Sequence, residues 1–279
     1  MIRQSIIRSF GEPSRRWKHL LNFLIFAVLA YWFLPRPYPG ADELRVMTYN
    51  IRHGLGIDRV LDLTRIAAVI NDFQPDIVIL NEVDMGTARS NGIQDMAQLA
   101  VLTRLNGYFA RSINFDGGEY GNGLLSRWSI SGKLDVWDIS TAISQEGRSV
   151  FRALIPIKSD TLQIFGTHFG LVEQERTTQA RFIDSLLVTA IKRYPTILAG
   201  DFNFIRSSPG YQIISRRIPD TYKFLGLDSI KTYPVPNPEK TIDYIFASLH
   251  WTGIQAVPVS IATADTASDH YPLQVVLVP

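Results

Sequence analysis

The sequence contains no cysteine among its 279 residues. This absence excludes disulfide bonds, zinc–thiolate centres, iron–sulfur clusters and cysteine nucleophiles. Without thiolates, oxygen and nitrogen atoms are the main ligands that the chain offers to a metal. Carboxylates, amides and imidazoles of this kind favour hard divalent cations.

Charge is also scarce and nearly balanced. Charged residues make up 19% of the chain, and the formal net charge is +2. Much of the positive charge precedes an N-terminal apolar run, at Arg3, Arg8, Arg15, Arg16 and Lys18. Because the remaining chain is close to neutral, overall charge gives little support to a nucleic-acid-binding protein.

Several common catalytic signatures are missing as well. There is no G-x-x-x-x-G-K-[ST] phosphate-binding loop, no H-E-x-x-H zinc pair and no G-x-S-x-G nucleophile elbow. The segment Gly54-Leu55-Gly56 lacks the third glycine of a dinucleotide fingerprint. These absences disfavour four classes of protein: nucleotide-binding proteins with a P-loop, zinc proteases, serine hydrolases and dinucleotide-dependent enzymes.

One apolar run lies near the N-terminus, with proline at its end. Leu20 to Leu34 is almost wholly apolar and would span about 22 Å as a helix, less than the ~30 Å of a bilayer core. Flanking cations can lengthen the span by snorkelling, and aromatic residues at both ends are typical of membrane interfaces. We therefore expect a transmembrane signal-anchor at 19–35, after a basic tail at 1–18 and before a linker at 36–43.

The charge of the tail predicts the orientation of this anchor. Basic segments stay on the cytoplasmic side, so the domain at 44–279 is expected on the outer side, periplasmic or extracellular. The alternative is a secretory signal that is cleaved near Val28-Leu29-Ala30, which would release the domain. The bulky Tyr31 and Trp32 after that point disfavour cleavage.

The domain alternates short apolar runs with amphipathic segments. Predicted strands lie at 44–49, 76–80, 108–113, 123–126, 150–157, 162–167, 196–199, 241–247, 254–261 and 271–278, and predicted helices at 62–73, 94–105 and 173–194. This mixture predicts an α/β fold in which two packed mixed β-sheets have helices outside, a four-layer α/β/β/α sandwich.

Polar side chains stand at the tips of these predicted strands. They are Asn50, Glu82, His168, Asp201, Asn203, Asp243, Asp269 and His270. Strands hold their tips rigidly, so polar groups there suit a well-defined site. They form one site only if the strand ends converge.

Seven short motifs carry a family resemblance. They are Thr48–Ile51, Asn81–Asp84, Gly123–Arg127, Thr167–Phe169, Gly200–Asn203, Ile242–Tyr244 and Ser268–His270. In this order, from Leu44 to the C-terminus, they resemble the endonuclease/exonuclease/phosphatase superfamily, which has the DNase I-like fold. The resemblance implies a metal-dependent phosphoric ester hydrolase.

The resemblance also implies a metal site. Glu82 is similar to the principal metal-binding carboxylate of the family, with Asn50 and Asp269 near the same ion. Mg²⁺ is the expected cofactor, with Mn²⁺ as an alternative, because these oxygen ligands suit a hard cation that keeps several waters.

Catalytic roles are implied residue by residue. Asp201 would orient or deprotonate the attacking water, and Asn203 would hold a phosphate oxygen. His168 would lie on the phosphate or leaving-group side. His270 would contact the phosphate while Asp243 orients its ring.

Arg148, in Gly147-Arg148-Ser149, is a further candidate, which would contact the catalytic residues rather than the substrate.

Each of these residues also has a purely structural explanation when taken singly. Asp201 and Asn203 are common turn residues, and a lone His168 is often a hydrogen-bonded core histidine. Glu82 could be a solvated acid, and Asp269 could be an N-terminal cap or a loop acid. The joint pattern would then require several coincidences, which favours the catalytic interpretation.

The substrate class is left open by the sequence. The anchor favours a phosphodiester in a lipid or another membrane-proximal molecule. A metal-dependent endonuclease or exonuclease is an alternative, although the domain offers little clustered positive charge. A third hypothesis, of another class, is a non-catalytic membrane-tethered binding domain. No obligate protein partner is indicated.

Overall fold

The computed structural model describes residues 43–157, 160–257 and 264–278. The predicted anchor at 19–35, together with the tail and nearly all of the linker, lies outside these residues. In the part of the chain that the structure describes, no helix is long and apolar enough to cross a membrane.

Eleven strands and six α-helices make up the described fold. The strands are β1 (Leu44–Asn50), β2 (Ile77–Met85), β3 (Asn106–Phe115), β4 (Gly118–Ser126), β5 (Asp135–Asp138), β6 (Ser149–Ile157), β7 (Asp160–His168), β8 (Thr196–Asp201), β9 (Asp243–Ala247), β10 (Gly253–Val257) and β11 (Leu273–Val278). The helices are α1 (Leu63–Phe73), α2 (Asp95–Thr103), α3 (Glu173–Arg193), α4 (Pro209–Arg217), α5 (Thr221–Phe224) and α6 (Ala264–Ala267).

These strands form two mixed sheets packed face to face. The first has the order β10-β11-β1-β2-β4-β3, and the second β5-β6-β7-β8-β9. Side chains of both sheets, such as Ile79, Leu124, Phe151 and Ile164, share one buried core. The prediction of two mixed sheets with helices is confirmed.

Helices cover the outer face of each sheet. Side chains of α1 and α2 pack on the first sheet in a second apolar cluster. The long helix α3 and the shorter α4 pack on the second sheet in a third cluster that is rich in aromatic rings. Apolar burial on both faces explains why most strands read as continuous apolar runs rather than as alternating ones.

Helix α1 shows how local sequence sets an element. The side chain of Asp62 accepts a hydrogen bond from the backbone N–H of Thr64, which caps the helix start. Ile66, Ile70 and Phe73 then form the buried face. The helix predicted at 62–73 is therefore confirmed, with Asp62 as its cap.

Strand direction brings distant motifs to one end of the two sheets. The pairs β1–β2 and β7–β8 are parallel, so their carboxyl ends lie together, with Asn50 opposite Asn81 and His168 opposite Asp201. Strand β9 runs antiparallel to β8 and begins at the same end, with Asp243 opposite Asp201. Strand β11 likewise begins there beside β1.

Gly200 allows β7 and β8, the two parallel strands of the second sheet, to lie close together directly before Asp201. Its φ is +148°, and a Cβ at this position would lie 1.9 Å from the carbonyl oxygen of Thr167. Only glycine fits such an approach. The small residue therefore sets the position of the following Asp201.

The structure differs from the predicted elements in several places. Strand β2 does not end at Leu80 but continues to Met85 through an irregularity. Strand β4 begins at Gly118, well before the start of the strand predicted at 123–126. Residues 258–261 of the strand predicted at 254–261 lie outside the described residues.

Several elements were not predicted: β5, α4 and the two four-residue helices α5 and α6. The edge strand β5 has only four residues, Asp-Val-Trp-Asp, which is too short for a clear periodicity. Helix α4 begins with Pro209 in its first turn. Proline at this position is a helix-start signal, because its missing N–H would be unpaired there in any case.

Candidate active site

The polar residues at the strand tips meet at one end of the two sheets. Five of them are buried: Asn50, His168, Asp201, Asp243 and His270. Glu82, Asn203 and Asp269 are partly exposed beside them. The cluster therefore has a buried floor and a rim that solvent can reach.

A β-bulge presents Glu82 to this cluster. The register between β2 and β4 shifts between Leu80 and Val83, and Glu82 itself has a φ of 58°. Bulges change the direction of a side chain, and a left-handed conformation at a residue other than glycine costs energy that the surrounding structure must offset. This irregularity is the reason that β2 extends past the predicted strand end.

The amide of Asn50 links the carboxylates of the two sheets. Its Nδ2 donates to Glu82 Oε1 at 3.0 Å and to Asp201 Oδ2 at 3.1 Å. Its Oδ1 accepts a hydrogen bond from the backbone N–H of Arg52 at 3.1 Å. The amide orientation is thus set by three contacts.

Asn81 is a positioning residue that the sequence reasoning did not single out. Its Oδ1 accepts the backbone N–H of Asp201 at 2.8 Å, and its Nδ2 donates to Asn122 Oδ1 and to the carbonyl of Thr167 at 2.8 and 2.9 Å. These buried bonds tie the first sheet to the end of the second. Its position in the Asn-Glu-Val-Asp motif, directly before Glu82, is the feature of the sequence that could have indicated this role.

Asp201 lies at the centre of the cluster and has a raised pKa. Burial raises the pKa of its carboxyl most, and the charge of Asp243 adds to this effect, to about 7. Its Oδ2 lies 3.5 Å from His168 Nε2 and 3.7 Å from His270 Nε2. A carboxylate with a pKa near neutrality can accept a proton from water.

His270 and Asp243 form a buried ion pair. The Nδ1 of His270 lies 2.9 Å from Asp243 Oδ2. Burial alone would lower the pKa of His270, but the charges of Asp243, Asp201 and Asp269 outweigh burial and raise that pKa to about 10. The ring is therefore a cation at neutral pH, suited to a developing negative charge.

The proline-rich stretch at 234–238 and the preceding Tyr233 pack beside this histidine and the neighbouring Asp269. The Tyr233 ring centroid lies 4.7 Å from that of His270. Val235 is buried, and its backbone N–H donates to the carbonyl of Asp269 at 2.9 Å. The loop thus packs against the site, a contact that links residues more than thirty positions apart.

His168 has a different environment from His270. Its Nδ1 lies 3.1 Å from Arg148 Nη1, and its Nε2 lies 3.1 Å from Asn203 Nδ2. Burial, followed by the charges of Arg148 and His270, holds the pKa of His168 well below its usual value. The two histidines therefore carry different charges in one site.

Asp269 occupies the rim beside Glu82. Its Oδ2 lies 3.6 Å from Arg52 Nε. The neighbouring Ser268 donates its hydroxyl to the carbonyl of Asn50 at 2.8 Å, which holds this loop against the end of β1. The three residues predicted to bind metal thus lie on the same side of the cluster. They are Glu82, Asn50 and Asp269.

The donor set fits a hard divalent cation. Burial raises the pKa of Glu82 most, and the charge of Asp269 raises it further, so the two carboxylates repel each other. A cation between them would relieve that repulsion, and oxygen ligands suit Mg²⁺ or Mn²⁺.

A second group of potential ligands lies deeper in the site. Among the described residues, Asp201, Asp243 and His270 offer ligand atoms within 4.8 Å of one another. The charges around His270 raise its pKa to about 10, which favours the protonated ring over the neutral ring that a metal ligand requires. Glu82, Asn50 and Asp269 therefore stay the predicted metal ligands.

The sequence of this chain matches the profile of a known protein family. The profile of the Endonuclease/Exonuclease/phosphatase family matches residues 47–270, which contain every residue of the cluster. No curated protein sequence matches the chain significantly.

Solved structures are similar over most of the chain. An endonuclease/exonuclease/phosphatase from Beutenbergia cavernae DSM 12333 is 25% identical, with a TM-score of 0.67, over 85% of this chain and 72% of that chain. A mannosyl-6-phosphatase from Bacteroides thetaiotaomicron VPI-5482 is 20% identical, with a TM-score of 0.66, over 85% and 100%. A truncated Caenorhabditis elegans TDP2 is 19% identical, with a TM-score of 0.65, over 85% and 98%.

Proposed function

Because the chain belongs to the endonuclease/exonuclease/phosphatase family, whose members are metal-dependent phosphoric ester hydrolases, we propose that it is a Mg²⁺-dependent phosphodiesterase. The supporting observation is the position of Asp201, a buried carboxylate between the metal-binding side and the two histidines. That position suits a group that takes a proton from an attacking water.

The proposed reaction is an in-line displacement at phosphorus. Asp201 orients a water molecule and accepts one of its protons as the new P–O bond forms. The bond from phosphorus to the leaving oxygen breaks, and this oxygen keeps the electron pair and gains a proton. The products are a phosphomonoester and an alcohol or phenol.

Other residues stabilise the phosphate while its charge increases. The cationic His270 faces a non-bridging oxygen, and Asp243 holds its ring in place. Asn203 offers its amide on the side of His168. A divalent cation held by Glu82, Asn50 and Asp269 would supply Lewis-acid stabilisation of the phosphate oxygens.

The paired arginines disfavour duplex DNA as the substrate. Three arginines of the first sheet and its loops contact carboxylates: Arg89 with Asp84, Arg111 with Glu119 and Arg127 with Asp76. Their charges are thus partly neutralised, whereas non-specific DNA binding needs several cations free to contact phosphates. We therefore retain the nuclease as the second candidate.

Metal removal tests the proposed activity. We expect the full-length chain to hydrolyse bis-p-nitrophenyl phosphate, to lose that activity in EDTA and to regain it with Mg²⁺ or Mn²⁺. Glu82→Gln is expected to raise the metal concentration that gives half-maximal rate by about 10-fold or more, since it removes a negative ligand.

A matched control variant distinguishes the loss of a metal ligand from the loss of a negative charge elsewhere in the protein. Glu119→Gln removes a carboxylate that pairs with Arg111 away from the site, and we expect its metal dependence to match that of the wild type. The melting temperature of Glu82→Gln without metal should not fall. Activity that persists in EDTA, or no turnover with any metal, would refute the proposal.

Membrane tethering is a second part of the proposal. The apolar run from Leu20 to Leu34 supports an anchor at 19–35, with the enzyme on the outer side of a membrane. We expect the full-length chain to stay in the membrane fraction after carbonate washing and to enter the soluble fraction only with detergent. Quantitative release by carbonate, or a shortened chain in the medium, would instead support signal cleavage.

A further inference from the structure

Both ring nitrogens of His168 face groups that donate hydrogen bonds. On one side, Arg148 Nη1 lies 3.1 Å from Nδ1. On the other side, Asn203 Nδ2 lies 3.1 Å from Nε2. A guanidinium has only donors, and the nitrogen of a side-chain amide is a donor too.

This arrangement restricts the protonation of the ring. A doubly protonated His168 would direct an N–H at each of two donors, so the imidazolium form is disfavoured by geometry. A neutral ring has one accepting nitrogen and one N–H. Only one of the two contacts can therefore be a hydrogen bond.

The contact with Arg148 is the stronger of the two. Its donor is charged, and charge-assisted hydrogen bonds are roughly twice as strong as neutral ones. The Asn203 amide has another acceptor, the carbonyl of Phe169, at 3.0 Å from its Nδ2. Nδ1 therefore accepts from Arg148, which leaves the ring hydrogen on Nε2.

The surroundings hold the guanidinium of Arg148 in place. Arg148 is only 5% exposed. Its Nη2 pairs with Glu146 Oε2 at 3.0 Å, and its Nη1 also lies 3.5 Å from the hydroxyl of Tyr120. A preorganised cation at Nδ1 is a permanent feature of the site rather than a chance rotamer.

We propose that Arg148 is a positioning residue that holds His168 as the neutral Nε2–H tautomer, so that His168 donates a hydrogen bond to a phosphate oxygen and does not protonate the leaving group. This inference rests on the proposed function for its substrate. Burial of the ring, which disfavours its charged form, acts in the same direction.

The proton balance of the reaction follows from this assignment. Asp201 takes one proton from the attacking water, and the leaving oxygen receives its proton from solvent. His168 begins and ends the cycle as the same neutral tautomer. Its Nε2–H, 3.5 Å from Asp201 Oδ2 before substrate binds, is the hydrogen that turns to the phosphate.

Nitrogen NMR tests the tautomer directly. The full-length chain is labelled with ¹⁵N-histidine, and the His168 signals are assigned by their loss in His168→Gln. At pH 7 we expect an unprotonated Nδ1 and a protonated Nε2. A protonated Nδ1, whether alone or together with Nε2, would overturn the proposal.

Removal of the guanidinium tests the role of Arg148. In Arg148→Met, we expect a new Nδ1–H signal from His168, whereas Arg152→Met, which removes the partner of Asp135 on β6, should leave the His168 signals unchanged. An unaltered His168 spectrum in folded Arg148→Met would contradict the assignment. If Arg148→Met does not fold, the wild-type spectrum still decides the tautomer.

Leaving-group dependence tests the chemical role. Rates are compared for aryl phosphodiesters with p-nitrophenol and with phenol as the leaving group. Loss of a general acid slows the poorer leaving group most, whereas loss of a donor to a non-bridging oxygen slows both alike. We expect His168→Ala to lower both rates by the same factor, and a larger loss for the phenyl ester would overturn the proposal.

These measurements separate the inference from the proposed function. If no phosphodiester is hydrolysed under any condition, the proposed function fails, and the NMR spectrum still confirms or refutes the tautomer. If hydrolysis occurs with a protonated Nδ1 in the spectrum, only the inference fails.

Discussion

Replacing Asp201 with asparagine is expected to lower kcat for bis-p-nitrophenyl phosphate by about 10³-fold, the scale of a lost general base. Asparagine keeps the size of the side chain, and its oxygen can still accept the backbone N–H of Asn203, which lies 2.9 Å from Asp201 Oδ1. It cannot take a proton from water. The loss should therefore fall on kcat with little change in KM.

The same substitution should not destabilise the protein. Asp201 is a buried charge that faces Asp243, and both burial and that charge raise its pKa. A neutral amide removes this repulsion, but its Nδ2 then faces the Asn50 donor that Asp201 Oδ2 accepts at 3.1 Å, so we expect the metal-free melting temperature of Asp201→Asn to stay close to that of the wild type.

A surface aspartate provides the matched control. Asp184 pairs with Arg217 on the surface at 2.7 Å, and Asp184→Asn should leave kcat unchanged. A rate for Asp201→Asn within a factor of three of the wild type would exclude the proposed proton acceptor.

The second large effect is expected for His270→Gln, with a loss of about 10²-fold or more in kcat, the scale of one transition-state donor. Glutamine retains a hydrogen-bond donor but carries no charge. It also leaves Asp243 without its cationic partner at 2.9 Å. We therefore expect a lower melting temperature as well, because a buried carboxylate is left unpaired.

The double variant separates these two effects of His270. In Asp243→Asn/His270→Gln the unpaired charge is removed, so stability should recover while kcat stays low. His250→Gln, which changes an exposed histidine that contacts Ser248, should behave like the wild type. Recovery of kcat together with stability would mean that His270 acts only through the fold.

The regular elements of the fold were largely predictable from local pattern. The periodicity and cap of α1 and the apolar runs of β1 and β7 identify these elements within one or two residues. Prediction failed where local pattern is weak or misleading. The four residues of β5 show no period, and the bulge at Glu82 allows β2 to continue where polar residues suggested its end.

The candidate site was predictable as a set of residue types but not as an arrangement. Short motifs identified Asp201, His270 and Glu82 because polar groups follow apolar strands there. Asn81 and Tyr233 were overlooked as parts of the site. Their roles depend on contacts across two sheets and between distant loops, which leave no local period or spacing in the chain.

The sequence by itself determined the donor chemistry of this protein: without cysteine, its polar strand ends offer only oxygen and nitrogen atoms to a metal and a phosphate. Only the tertiary structure decided the state of each group. His270 and His168 are the same residue type, yet one faces Asp243 and the other faces Arg148. Because a nearby charge acts through distance and burial, which a sequence does not specify, one ring becomes a cation and the other a neutral donor.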